Sequence, residues 1–105
     1  MKINLTKVTI IGESLLKEGL LQLLKTEGST GHTITMCEGE GSRGINASDW
    51  EGRNIQIETI VSAQTADRIL IAVSDKYMKN YAIIAYLSEV LVLRGGKFDC
   101  EMSPE

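Results

Sequence analysis

The sequence predicts an α+β fold in which a strand-helix-strand unit occurs twice. Two observations lead to this prediction: segments rich in β-branched residues, and segments with helical spacing of apolar residues that alternate with them. The length of 105 residues suits one small domain, and a single Phe and a single Trp leave an aliphatic core. A core this small favours burial against further subunits.

The first unit begins with Asn4–Ile11, whose β-branched residues predict a strand. This strand is predicted to end at Gly12-Glu13, and Ser14 is a candidate N-cap of the first helix. The helix ends at Gly28, a candidate C′ glycine. Its predicted apolar face consists of Leu15, Leu16, Leu20, Leu23 and Leu24. The alternating segment Thr33–Cys37 then predicts the second strand.

The second unit begins with Ile55–Val61, where alternation predicts a third strand with one wet face. Ser62 or Thr65 caps the second helix. The predicted apolar face of that helix consists of Ala66, Ile69, Leu70, Val73 and Tyr77. Tyr81–Leu87 is the predicted fourth strand, and Glu89–Leu93 is either a short fifth strand or its continuation. The order is that of a ferredoxin-like βαββαβ fold, with one antiparallel sheet and both helices on one face. A trimer would cover the apolar side chains of the other face.

A seventeen-residue segment, Glu38–Asn54, separates the two units, and a loop of this length is usually functional or disordered. The glycines of Gly39–Gly44 allow backbone N–H groups to surround an anion. Arg43 could add a bidentate contact to phosphate or bicarbonate. The segment matches no established phosphate-binding motif, so a flexible connection is the alternative. Trp50, among polar residues, indicates either a partner contact or a side chain that folds onto its own subunit.

Composition argues against several classes of protein. A net charge of −3 without a basic run disfavours binding to duplex nucleic acid. No apolar run approaches the roughly 20 residues of a membrane span, and Met1–Ile11 alternates instead of forming a signal peptide, so a cytoplasmic location is expected. One histidine, His32, and two cysteines, Cys37 and Cys100, predict no metal site within one subunit. Because the chain also lacks a catalytic constellation, a protein that is not an enzyme is expected.

Three segments resemble the PII signalling superfamily. Glu27–Thr35 resembles the turn that leads into the second strand of the family, Glu38–Arg43 the base of its T-loop, and Ile55–Val61 the strand that receives this loop. Gly-Glu-Gly-Ser-Arg is similar to the PII-like branch represented by SbtB and the carboxysome-associated PII protein. The resemblance implies a domain over residues 1–98 with its T-loop at about 38–54, followed by a flexible tail over 99–105.

The family resemblance further implies a homotrimer with adenine nucleotides in the clefts between subunits. AMP, ADP, ATP or cyclic AMP would act as an effector and not as a permanent cofactor, with bicarbonate as a second ligand. The implied nucleotide-binding positions are Ile11, Gly12, Gly31, Thr33, Gly39, Gly41, Ser42, Arg43 and Arg94, with Tyr81, Ala82 and Ile83 from the neighbouring subunit. Arg43 and Gly44 would hold bicarbonate, while Trp50 and Arg53 would face a partner. The ligand would switch the T-loop and so regulate a target such as an inorganic-carbon (bicarbonate) transporter.

The sequence departs from the family pattern in three places. Met78–Ala82 stands where the family has Gly-x-Gly-Lys in its B-loop, and no tyrosine occurs in Glu38–Asn54. The tail has Cys100 alone, where some SbtB proteins have two cysteines. These departures favour sensing of AMP, ADP or cyclic AMP. Two alternatives stay open. One is a trimeric ferredoxin-like protein of the divalent-ion tolerance type that binds metal or another small ligand, with His32, Cys37 and carboxylates from neighbouring subunits as ligands. The other is a structural interaction module without a ligand.

Overall fold

The computed structural model describes residues 1–39 and 54–93. Its helices and strands are β1 (Ile3–Glu13), α1 (Lys17–Thr26), β2 (Thr33–Cys37), β3 (Asn54–Val61), α2 (Ala63–Val73) and β4 (Ile83–Val92). A 3-10 turn at Ser14–Leu16 precedes α1, and a π-helical turn at Ser74–Met78 follows α2. The strands form one antiparallel sheet in the order β2-β3-β1-β4. The predicted α+β, ferredoxin-like order is confirmed.

The hydrophobic core lies between the two helices and one face of the sheet. On the central strand β1, Ile10 pairs with Ile57 of β3 and with Ala85 of β4. Ile10 and Ile57 belong to one buried cluster with Leu20 of α1 and Ile69 of α2, so both helices cover the same face. Each of these fully buried side chains contributes about 1.5–3 kcal/mol to folding. We call the face turned away from the helices, which carries Lys7, Glu58 and Ile84, the open face.

α1 ends in a Schellman motif, as the predicted C′ glycine indicates. The amide of Ser29 donates to the carbonyl of Leu24 at 2.9 Å, and the amide of Gly28 donates to the carbonyl of Lys25 at 3.1 Å. Gly28 has φ = +111°, a conformation that only glycine adopts at low cost. The two hydrogen bonds satisfy carbonyls that the end of the helix would leave without donors.

Replacing Gly28 with alanine is expected to lower the free energy of unfolding by about 1–2 kcal/mol, because a Cβ is strained at positive φ. Gly39→Ala is the matched control, since a Cβ there would meet its nearest neighbour, Asn54 Nδ2, at an ordinary 3.8 Å. Urea unfolding followed by circular dichroism measures both variants. Equal stability of Gly28→Ala and the wild type would contradict the assignment.

α2 begins at a side-chain cap and is tied to the end of α1. The amide of Thr65 donates to Ser62 Oγ at 3.2 Å, so Ser62 is the N-cap and Thr65 is not. Arg68 Nη2 donates to Thr65 Oγ1 at 3.0 Å and to the carbonyl of Glu27 at 3.3 Å. The predicted apolar face is confirmed, because all of its members are buried or packed against the core: Ala66, Ile69, Leu70, Val73 and Tyr77.

The predicted start of the first helix is wrong. Ser14 does not cap it, because β1 continues through Gly12 and Glu13, and no side chain caps the following 3-10 turn. Gly12 and Glu13 stay in the sheet because they pair with the first two residues of β3. Leu15 falls in the 3-10 turn instead of the helix and is 57% exposed, so it is not part of the core face.

The fourth strand also differs from its prediction. β4 starts at Ile83 and not at Tyr81, because the amide of Tyr81 donates to the carbonyl of Tyr77 at 3.0 Å and so belongs to the end of the helical turn. The strand then runs without a break to Val92. Ser88, which separated the two predicted segments, keeps the register opposite Lys7. Glu89–Val92 therefore continues this strand, Leu93 lies just past its end, and the alternative of a fifth strand is wrong.

Candidate functional site

Several strand ends meet at the end of the sheet where β2 ends and β3 begins. Cys37, the last residue of β2, pairs with Asn54, the first residue of β3. On the central strand, Gly12 pairs with Ile83 at the start of β4. We call this region the loop-side end of the sheet. A ligand held at this end lies beside both stems of the long predicted loop.

Gly12 permits a close approach between β1 and the beginning of β4. A Cβ added to Gly12 would lie 3.3 Å from Ile83 Cγ1 and 3.6 Å from the carbonyl oxygen of Ala82. Ile11 extends the same register, opposite Ile84. The predicted site residues Ile11, Gly12, Ala82 and Ile83 therefore form one group within a single protomer. That Tyr81, Ala82 and Ile83 also reach the site of a neighbouring subunit, as the resemblance implies, stays a prediction.

Tyr77 anchors the connection that leads into β4. Its carbonyl accepts hydrogen bonds from the amides of Asn80 at 3.2 Å and Tyr81 at 3.0 Å. The rings of Tyr77 and Tyr81 pack with their centroids 5.8 Å apart at an interplanar angle of 59°. The Tyr77 hydroxyl occupies the space that a side chain on Gly19 of α1 would need. The connection is thereby tied to the helix layer, which determines where the chain enters the sheet at Ile83.

Gly31 and Thr33 lie at the other end of β2. Thr33 starts this strand opposite Glu58, four residues before Cys37, which corresponds to about 13 Å along the strand. The carbonyl of Gly31 accepts a hydrogen bond from Thr59 Oγ1 at 2.6 Å. Within one protomer these two residues are not brought together with the group around Gly12.

Polar residues on the open face were not among the predicted site residues. Lys7 Nζ lies 3.6 Å from Glu58 Oε2, and Gln56 Nε2 donates to the same oxygen at 3.0 Å. Glu58 is flanked in register by Thr9 on one side and Thr33 on the other. Alternation along β3 predicted that Gln56 and Glu58 lie on a solvent-exposed face, and both are partly exposed in the isolated protomer. The alternation could not reveal that Lys7 of β1 is the partner of Glu58. A half-exposed ion pair of this kind adds at most about 1 kcal/mol to stability.

Part of the predicted site falls on residues that the structure does not describe. Gly39 is described and is exposed at the base of the loop, next to Asn54. The other predicted positions in the loop and the tail lie outside the described residues and stay predictions: Gly41, Ser42, Arg43, Gly44, Trp50, Arg53 and Arg94.

Two further features bear on the class of site. Within residues 1–39 and 54–93, no three His, Cys, Asp or Glu side chains come together as metal ligands. His32 and Cys37 are separated by the length of β2, so they cannot share an ion within one protomer. No helix in the described part of the chain has the length and apolar character needed to cross a membrane.

Comparison with known families assigns the chain. Residues 5–97 match the model of the family described as nitrogen regulatory protein P-II. This match includes both strand-helix-strand units and the segment between them. The chain belongs to the PII family. The resemblance found in the sequence is therefore confirmed at the level of the PII family.

Solved structures of PII-like proteins share this fold. A protein of Thermus thermophilus described as a putative PII-like signalling protein is 49% identical, with a TM-score of 0.80 over 92% of this chain and 97% of that chain. CPII of Thiomonas intermedia K12, bound to ADP, AMP and acetate, is 26% identical, with a TM-score of 0.82 over 93% of this chain and 97% of that chain. A further structure of CPII, bound to ADP and bicarbonate, matches at 24% identity with a TM-score of 0.78, over 90% of this chain and 93% of that chain, and supports the fold alone.

Proposed function

We propose that this PII protein is a homotrimeric sensor of adenine nucleotides that regulates a target through its T-loop, residues 38–54. The observation that carries the proposal is the geometry of the loop-side end, where Cys37 and Asn54 adjoin each other at the end of the sheet that holds Gly12 and Ile83. A nucleotide at this position would contact the base of the loop directly. The structure of CPII with ADP and AMP, at 26% identity, supports adenine nucleotides as the ligand class.

The open face supports a trimer. On β4, Ile84 and Tyr86 point to the open face and are 53% and 44% exposed in the isolated protomer. On the helix-facing side of the same strand, Leu87 and Leu91 are 37% and 64% exposed. β4 is an edge of the described sheet, and proteins cover or charge an apolar edge strand to prevent uncontrolled pairing. We propose that further copies of the chain cover the exposed apolar side chains of β4.

The ligand contacts that we propose rest on the chemistry of the loop base and, for Gly31, Thr33 and Arg94, on the positions that the family resemblance implies. Successive glycines and Ser42 at the base of the loop would donate to phosphate oxygens, and Arg43 would add a charge-assisted contact. Gly31 and Thr33 would line the adenosine side, and Arg94 would face a phosphate. Bicarbonate is the proposed second ligand at Arg43 and Gly44, since a guanidinium matches a planar carboxylate in two hydrogen bonds. Acetate, present with the nucleotides in CPII, has the same carboxylate geometry.

The sensor would work by linkage between ligand and loop. A nucleotide shifts the loop only if it binds one loop conformation more tightly than the others. Trp50 and Arg53 would then present a different surface to the target. For the target we propose an inorganic-carbon transporter, contacted from the cytoplasm, which is the role expected in the SbtB branch. The nucleotide is an effector in this scheme, and no catalytic step is proposed.

Replacing Arg43 with alanine is expected to weaken ADP binding by about 10- to 100-fold, because hydrogen bonds to charged groups contribute about 1.5–3 kcal/mol. Arg43→Lys keeps the charge but loses the bidentate geometry, so it should bind with intermediate affinity. Arg53→Ala removes an equal charge from the partner-facing part of the loop and is the control expected to bind as the wild type does. Isothermal titration calorimetry with AMP, ADP, ATP and cyclic AMP measures all four proteins. Failure of the wild type to bind any adenine nucleotide would overturn the proposed function.

A further inference from the structure

A pair of hydroxyl groups holds the turn that precedes β2. Thr59 Oγ1 lies 2.6 Å from the carbonyl oxygen of Gly31 and 2.6 Å from Ser29 Oγ, which lies 3.0 Å from the same carbonyl. Two hydroxyls only 2.6 Å apart need a proton between them. The arrangement that places a proton in both 2.6 Å contacts has Ser29 donating to Thr59 and Thr59 donating to Gly31, so Ser29 donates to Gly31 only when it does not donate to Thr59. We call Ser29 and Thr59 the hydroxyl pair.

Thr59 is an unusual residue for its position in the sheet. It lies on the helix-facing side of β3, between the core residues Ile57 and Val61, and is 3% exposed. An aliphatic side chain such as valine would fill this position without burying a hydroxyl. A buried hydroxyl is costly unless it is hydrogen-bonded, so the bond to Gly31 is what makes threonine acceptable here. Its presence indicates a requirement in the turn and not in the core.

The hydroxyl pair determines the orientation of one peptide group. The turn leaves α1 at Gly28, and the bond from the Ser29 amide to Leu24 anchors its first half. The bond from Thr59 anchors its second half by directing the Gly31 carbonyl towards the core. The described peptide bonds are all trans, so the N–H of His32 lies in the Gly31–His32 peptide plane and points in the direction opposite to the Gly31 carbonyl, away from Thr59.

We propose that Thr59, with Ser29, is a positioning residue for the adenosine side of the nucleotide site. By holding the Gly31 carbonyl inward, the pair orients the Gly31–His32 peptide so that the His32 N–H and the start of β2 face the ligand. This inference rests on the proposed function, because Gly31 and Thr33 are the residues proposed to line the adenosine side. It adds two residues that touch no ligand and act through the backbone.

The geometry predicts a graded series of variants. Thr59→Ser keeps the hydroxyl, and Ser29→Ala leaves the bond from Thr59 to Gly31 intact, so both should bind ADP within about twofold of the wild type. Thr59→Val keeps the shape but removes the donor, and Ser29 at 3.0 Å can replace it only in part. We expect a loss of about three- to tenfold in affinity for Thr59→Val, and a larger loss for Ser29→Ala/Thr59→Val.

Two measurements separate positioning from a general loss of stability. Calorimetry with adenosine, AMP and ADP should show the same fold-loss for Thr59→Val with all three ligands, since the phosphates are not affected. Val61→Ala is the matched control: it removes buried volume from the same strand and face, and should lower the unfolding midpoint without changing affinity. Amide hydrogen exchange of residues 30–33 should become faster in Thr59→Val and the double variant, and not in Val61→Ala.

The outcomes are distinguishable. If the wild type binds ADP and the double variant binds it equally well, or if Val61→Ala loses the same affinity, the positioning role is wrong while the proposed function stands. Unchanged hydrogen exchange in the double variant would show that the hydroxyl pair does not hold the turn. If the wild type binds no adenosine compound at all, the proposed function and this inference are both overturned.

Discussion

Replacing Ile84 with aspartate is expected to convert the proposed trimer into monomers. Ile84 lies on the open face of β4 and is 53% exposed in the isolated protomer, so the variant should fold normally as a monomer. In a trimer that covers this face, the same change would bury an unpaired carboxylate. The penalty for such a group is several kcal/mol per subunit, which exceeds what a small interface can absorb.

Ile71→Asp is the matched control for this experiment. Ile71 is an isoleucine on α2 with a similar exposure of 61%, and it lies outside the sheet. Light scattering coupled to gel filtration should report a trimer for the wild type and for Ile71→Asp, and a monomer for Ile84→Asp. A trimeric Ile84→Asp would show that the open face is not the interface. Dissociation of Ile71→Asp would place the interface on the helices instead.

The monomeric variant also tests where the nucleotide binds. The pairing of Gly12 with Ile83 shows that one protomer holds a contiguous part of the candidate site, while Gly31 and Thr33 lie along β2 from it. If the cleft between subunits is required, Ile84→Asp should lose ADP affinity together with the trimer. Retained affinity in the monomer would place the complete site within a single protomer.

Local sequence signals predicted most of the fold, because helix ends and caps depend on chemistry between residues close in the sequence. The C′ position of Gly28 and the cap at Ser62 depend only on residues within one helical turn; the first was predicted correctly, and the second was one of the two predicted alternatives, Ser62 or Thr65. The predictions were wrong at positions whose structure depends on pairing with residues distant in the sequence. Gly12 interrupts a strand by local preference, but pairing with β3 and β4 keeps it in the sheet. Ser88 remains in β4 because Lys7 pairs with it across the sheet.

The candidate site was less predictable, for a similar reason. The resemblance of the segments Glu27–Thr35 and Glu38–Arg43 to the PII family indicated the candidate site, but no local pattern places Gly12 against Ile83. Thr59 was predicted only as a strand residue, because alternation shows that a position is buried and does not show which backbone group its hydroxyl meets. Its partner, Gly31, is 28 residues away in the chain. Contacts over such separations follow from strand register, which the sequence pattern alone left undetermined.

Replacing Gly12 with valine is expected to lower the free energy of unfolding by about 2–3 kcal/mol, as overpacking of a buried position does. Gly12 lies on the central strand, and even a single Cβ would come within 3.3 Å of Ile83 Cγ1 and 3.6 Å of the Ala82 carbonyl. The branched side chain must therefore displace the start of β4. Because Ala82 and Ile83 belong to the candidate site, ADP affinity should fall as well.

A double-mutant cycle with Ile83→Ala distinguishes this clash from a general intolerance of β1 to substitution. Ile83→Ala removes the closest side-chain atom, so Gly12→Val/Ile83→Ala should be more stable than the sum of the two single effects, by at least about 1 kcal/mol. Urea unfolding of the four proteins gives the coupling energy. Strict additivity would show that Ile83 does not limit the space at Gly12. The Ala82 carbonyl stays in the double variant, so rescue of stability is expected to be incomplete, and ADP affinity should recover less than stability does.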